Sequence, residues 1–209
     1  RQRQMCIRDS AITARRCGFH REHLVAFFSS MRADLTHREY SPSELQDYIY
    51  GSAEAIGLLC LQIFLAEENV SPADRAAMER GARALGSAFQ KINFLRDLRE
   101  DSSTLGRTYF QQAPSGRIDE ATKSALIAEI RRELATAALT IDLLPASARV
   151  GVSAAADIFA ELTNRLAATP ATALATTRVS VPNHTKAWLA ARAVRRRGHS
   201  NQTPPLAGD

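Results

Sequence analysis

The sequence predicts an all-α fold, a single bundle of about six helices around a central cavity. Three observations carry that expectation. Ala, Leu, Arg and Glu are abundant while aromatics make up only 6% of the chain, a composition that favours helix. Apolar residues recur at helical spacing in one segment after another. Ser-Pro start signals stand ahead of two of those segments. No strand pattern, repeat or glycine-rich phosphate loop interrupts them. With 209 residues, 45% hydrophobic and 23% charged, the chain is expected to form one domain with a sizeable core.

Residues 1–10 (RQRQMCIRDS) have no periodic apolar face, and their Met is internal. They are expected to be a cloning or read-assembly scar, a non-native leader outside the fold. The helical domain is then residues 11–197, a chain cut ahead of residue 11. The first helix follows at His23–Leu35, where Leu24, Val25, Phe27, Phe28, Met31 and Leu35 share helical spacing. Asp34 near its end reads as a helix-surface carboxylate. Ser41-Pro42-Ser43-Glu44 supplies a hydroxyl cap, Pro at the first helical position and Glu at the third. The helix it opens runs to about Glu67. Its small residues Gly51, Ser52, Ala53 and Gly57 permit close packing or leave room for a ligand. Tyr48 on an amphipathic helix reads by itself as a core residue with its hydroxyl at the rim.

Ser71-Pro72-Ala73-Asp74 repeats the cap pattern and opens a long helix with kinks expected at Gly81 or Gly86. A loop is expected at Ser102–Gly106. Ile118–Leu144 and Val150–Leu166 read as outer, structural helices, stopped by Pro145 and before Pro170. A last basic helix, Thr185–Arg197, carries Trp188, Leu189 and Val194, with Gly198 as its stop. Residues 198–209 read as a loose tail.

The net charge is +5, with much of the basic excess at the ends. A basic end suits a membrane surface, nucleic acid or an anionic substrate, or is simply a solvated tail. The Trp-plus-basic last helix suits peripheral contact with anionic lipid, or Trp188 packs on the body. No aromatic platform or recognised motif supports nucleic acid. Cys6, Cys17 and Cys60 lack metal or disulfide spacing and fit a reducing, cytoplasmic setting. The most apolar run, Ala55–Ala66, is too short to span a bilayer.

The chemistry concentrates in Leu85–Tyr109. At about 100° per residue, Gln90, Asn93, Asp97 and Asp101 fall within roughly 80° of arc. Around the rest of the helix stand Leu85, Ala88, Phe89, Ile92, Leu95 and Leu98, which want burial. Asp97 and Asp101 at i, i+4 are spaced for one hard divalent cation, with Asn93 adding a neutral oxygen. Mg²⁺ takes one or two carboxylates and completes its shell with water and phosphate oxygens. Arg96, Arg99 and Arg107 lie close by, and guanidinium suits phosphate. The alternative is a solvated face laced with ion pairs, but Gln90 and Asn93 continue the stripe through an apolar segment.

FQKINFLRDLREDSSTLGRTYF resembles the second aspartate-rich motif of the squalene/phytoene synthase family, FQxxNxLRDxxED followed by GRxYF. SELQDYIYGSAEAIGL (Ser43–Leu58) resembles that family's YCYxVAGxVG segment, and SMRADL (Ser30–Leu35) its MRxD element. The resemblance runs in family order over most of Ala11 to about Arg195. It implies the isoprenoid-synthase fold and a head-to-head prenyl transferase that condenses two prenyl diphosphates with Mg²⁺, or Mn²⁺, assisting diphosphate release. Asp97 and Asp101, with Asn93, would hold metal. Gln90, Asn93, Tyr109 and Asp34 would meet substrate, and Arg96 and Arg107 would contact diphosphate. Tyr48 would sit at the reacting carbons, on a helix lining the prenyl tunnel. Glu54 stands where many members have Gly, so either the tunnel wall differs or Glu54 faces outward. Gln111-Gln112 replace the usual Pro. The details look most like bacterial phytoene synthases, with squalene or dehydrosqualene synthase as alternatives. No DDxxD precedes Asp97, so an inactive fragment lacking its first helices, or a non-catalytic binding or assembly protein, is the remaining alternative.

Overall fold

The computed structural model describes residues 2–37, 39–100 and 118–200. These form α1 (Gln2–Arg16), α2 (Arg21–Thr36), α3 (Pro42–Ile49), a π-helical turn (Tyr50–Glu54), α4 (Ala55–Phe64), α5 (Pro72–Glu100), α6 (Glu120–Ile141), α7 (Ala146–Ala168), the short α8 (Ala171–Leu174) and α9 (Asn183–Ser200). Apart from an isolated bridge residue at Glu39, the described residues hold no strand, and the all-α expectation holds.

The start signals work as their chemistry dictates. Ser41 Oγ accepts from the Glu44 backbone N–H at 3.3 Å, and Glu44 Oε2 accepts from the Ser41 N–H at 2.8 Å, a reciprocal capping box. Ser71 Oγ accepts from the Asp74 N–H at 3.1 Å, and Asp119 caps α6 through the Thr122 N–H at 2.7 Å. At the far end of α7, the buried Lys123 side chain donates to the carbonyls of Ala167 and Thr169. These otherwise orphaned acceptors thereby gain a cationic donor.

The core follows α5. Ala88, Ile92, Leu95 and Leu98 are buried against Ile127 and Ile130 of α6, Leu162 and Leu166 of α7 and Leu174 of α8. Phe89 of α5 stacks on Phe159 of α7 with ring centroids 3.8 Å apart. On the other side α5 meets the π turn and α4 across glycines. A Cβ on Gly57 would stand 2.5 Å from the Ala82 carbonyl oxygen, and one on Gly86 2.6 Å from that of Ala53. Only residues without a Cβ let these backbones approach so closely.

Residues 2–10 lie in α1, and Cys6–Ser10 are exposed. Three expectations are corrected. The Ser41 helix is not uniform to Glu67: it passes through the π turn and ends at Phe64. Gly198 does not stop α9, which continues to Ser200 because glycine lowers helix propensity without forbidding it. Finally, α6 and α7 are not merely outer helices, since both contribute core and cavity wall. The loop expected at Ser102–Gly106 lies outside the described residues.

Candidate functional site

α5 divides two cavities. The first, about 610 Å³, is almost wholly apolar. Ala53, Gly57 and Phe64 form one side, Leu85 and Phe89 the floor, and Ile141 and Val152 the opposite wall. Gln90 also lines it. Of the small residues after Tyr50, Gly51 and Gly57 make close backbone contacts, while Ser52, Ala53 and Gly57 line this cavity. Glu54 faces the other way, its Oε2 accepting from Arg83 Nε at 2.7 Å, which leaves the apolar wall uncharged.

The second cavity, about 870 Å³, is polar. Lys91 is buried in it and donates to Glu129 at 2.6 Å and to Glu133. Burial works against the Lys91 ammonium, but these carboxylates outweigh it and its pKa lies above the ordinary value. Burial lifts the Glu133 carboxyl above the usual range despite hydrogen bonds from Lys91 and Ser87. Its Oε2 is buried without a partner. Sequence reading missed this network, because its members come from two helices far apart in the chain.

Beyond Gln90 the stripe continues one turn to Asn93 and two turns to Asp97. Asn93 Oδ1 is buried with no hydrogen-bond partner. Asp97 accepts from Arg96 Nε at 2.9 Å and pairs with Arg178 Nη2 at 3.1 Å. Arg96, expected on a diphosphate, is therefore folded onto its neighbour here. Arg178 comes from the segment between α8 and α9 and was not foreseen; one arginine in a basic C-terminal third carries no signal that it returns to α5. Asp101, Arg107 and Tyr109 lie outside the described residues.

Tyr48 and Asp34 do meet: the hydroxyl donates to Asp34 Oδ1 at 2.9 Å. Tyr48 is buried, its ring 5.1 Å from that of Tyr40 and 6.2 Å from that of Phe94. It is not on the apolar cavity's wall, but it touches α5 through Phe94, the residue after Asn93.

The donor set can be tested against Mg²⁺ on these observations. A carboxylate, a buried amide oxygen lacking any partner and a second amide a turn earlier are hard oxygen donors with few charges, which is what Mg²⁺ accepts. The two guanidiniums now on Asp97 are ready partners for phosphate oxygens. The residues present fit the ion.

Comparison with known proteins agrees with this architecture. The squalene/phytoene synthase family matches residues 1–185, so the chain belongs to the squalene/phytoene synthase family. It is 43% identical over 86 residues to phytoene synthase 3, chloroplastic, of Zea mays, covering 39% of this chain and 19% of that one. With the bifunctional lycopene cyclase/phytoene synthase of Blakeslea trispora it shares 27% identity over 136 residues, 57% of this chain and 22% of the other. Its fold is that of squalene synthase HpnC from Alicyclobacillus acidocaldarius, with a TM-score of 0.53 at 18% identity over 92% of this chain and 65% of that one. The matches thus span about a fifth of the curated relatives' length and 65% of the solved neighbour. The family match includes residues 1–10. No helix of the described residues is long and apolar enough to cross a membrane.

Proposed function

We propose that this chain carries one wall of a head-to-head prenyl transferase site, which condenses two prenyl diphosphates, with geranylgeranyl diphosphate going to phytoene. The observation that carries this reading is the orphaned, buried Asn93 oxygen one turn before Asp97, on the helix that also floors an apolar cavity. The relatives named as phytoene synthases support the product; squalene or dehydrosqualene is the alternative.

Asp97, Asn93 and Gln90, with Asp101, would hold Mg²⁺, which when bound withdraws charge from a departing diphosphate. Arg96 and Arg178, which pair with Asp97 here, would bind the diphosphate oxygens, and Arg107 would add a third guanidinium. The wall of Ala53, Gly57, Leu85 and Phe89 holds the prenyl tail and keeps water from a carbocation. Tyr48, its proton donated to Asp34, keeps its oxygen electron-rich and its ring packed beside α5. Exposed Trp188 and Val194 beside Lys186 and Arg195 support peripheral contact with anionic lipid.

The opposing wall, with a first aspartate-rich motif, is proposed to come from sequence outside these 209 residues. This polypeptide alone is then expected to release little diphosphate. The test uses the full product of the native coding region with Mg²⁺ and geranylgeranyl diphosphate. Asp97→Asn is expected to lower diphosphate release by about 100-fold or more, in the range of losing a transition-state charge stabiliser. Wild-type turnover in that variant would remove Asp97 from the metal site, and no diphosphate release by the unsubstituted full product would leave the scaffold reading. Preference for farnesyl diphosphate would instead select the squalene-type product.

A further inference from the structure

At the N-terminus of α2, away from the Asp97 stripe, His20, Glu22 and His23 bring one ligating atom each to within 4.8 Å of one another. His20 Nδ1 is 3.8 Å from Glu22 Oε1, and His23 Nε2 is 4.0 Å from the same oxygen. The two imidazoles stack with centroids 5.5 Å apart. Ligands on a tetrahedral ion with bonds of about 2.0–2.1 Å stand roughly 3.3 Å apart, so small rotations of exposed side chains close the set.

The second observation is how His23 is held. It is 7% exposed, and its Nδ1 lies 3.0 Å from the Tyr50 hydroxyl at the start of the π turn. In the tautomer that donates Nδ1–H to Tyr50 Oη, Nε2 presents its free lone pair to Glu22 and His20. An imidazole fixed through one nitrogen so that the other points at a carboxylate and a second imidazole is the orientation that metal-ligating histidines show. The helix N-terminus is a positive end and opposes a cation. Glu22 supplies the compensating charge, and Glu79 of α5 acts on His23 with the same sign. Arg83 also faces His23, but its guanidinium is engaged by Glu54 at 2.7 Å.

We propose that His20, Glu22 and His23 form a Zn²⁺-class binding site, with Tyr50 as its positioning residue. Two imidazoles and a carboxylate suit a borderline ion rather than Mg²⁺, and water completes the shell. Because Tyr50 begins the π turn that leads to Gly57 and the apolar wall, bound metal would lock α2 to that turn. The site is independent of the prenyl transferase reading.

The test is calorimetric titration of the metal-stripped chain with Zn²⁺ in excess Mg²⁺, which occupies the hard-oxygen donors. One equivalent of tight binding is expected. His20→Ala and Glu22→Gln, at exposed positions, should each weaken it at least tenfold while circular dichroism is unchanged. Tyr50→Phe should weaken it about tenfold, as loss of an outer hydrogen bond does. Co²⁺ in place of Zn²⁺ should give visible bands of a tetrahedral nitrogen–oxygen site. Undiminished affinity in H20A and E22Q overturns the proposal. So does thiolate-to-cobalt charge transfer lost in Cys17→Ser, which would assign the metal to cysteine.

Discussion

Tyr48 and Asp34 are joined by a 2.9 Å hydrogen bond that ties the last turn of α3 to the end of α2. The bond runs from a buried phenol to a carboxylate, so it belongs to the stronger class of side-chain bonds. A double-mutant cycle of Tyr48→Phe and Asp34→Asn, read by urea unfolding, should give a coupling of about 1.5 kcal/mol. Strict additivity would mean that the two groups are neighbours without being partners.

The glycines at the α4–α5 crossing should tolerate no side chain. Gly57→Ala and Gly86→Ala each drive a Cβ into a backbone carbonyl, at an expected cost of about 1–3 kcal/mol. Gly151 of α7 meets nothing within 4 Å. Gly151→Ala should therefore stabilise the chain by up to about 1 kcal/mol through helix propensity. Thermal unfolding of the three variants checks both signs.

Removing Lys91 should cost about 3 kcal/mol, because its loss strands Glu133 in the polar cavity. Glu133 already titrates above the ordinary carboxyl range, through burial, and without Lys91 it should rise further. A carboxyl with a raised folded pKa favours the folded state when protonated, and that advantage is lost as pH rises through the folded value. The deficit of Lys91→Met should therefore be largest at neutral pH and narrow in acid. A deficit independent of pH would rule out Glu133 as its cause.

Glu44 behaves oppositely. Its hydrogen bonds with Ser41, side chain and backbone, and with His37 lower its pKa from 4.5 to about 2. A depressed carboxyl contributes stability above its unfolded pKa and loses it as pH falls through the folded value. Between pH 4.5 and about 2 the native chain should lose more stability than Glu44→Gln, and the two curves should converge at the acid end.

Arg178→Ala frees one side of Asp97. On the proposed prenyl transferase reading it should raise KM for a prenyl diphosphate several-fold while leaving thermal stability within about 0.5 kcal/mol, since Arg178 is an exposed partner. An altered Tm with unchanged KM would make the pair structural only.

Much of this was legible from local pattern. The Ser41 and Ser71 caps, the burial of Ile92 and Leu95 and the run of Gln90, Asn93 and Asp97 along one helix all follow from residues within a few turns of one another. The π turn was not legible. Tyr50–Glu54 are ordinary helical residues whose extra half-step depends on contacts with α2 and α5, where Gly51 fits beneath the Ala26 carbonyl.

The sequence by itself determined the helical class, the caps and the composition of the α5 stripe, because helix periodicity and capping are short-range properties. Only the tertiary structure decided that Arg178 returns to Asp97, that Lys91 is neutralised by Glu129 and Glu133, and that Glu54 turns from the apolar cavity to Arg83. A charge's partner across helices depends on how the helices cross, and that crossing is set by the packing of glycines and core side chains rather than by the period of any one segment.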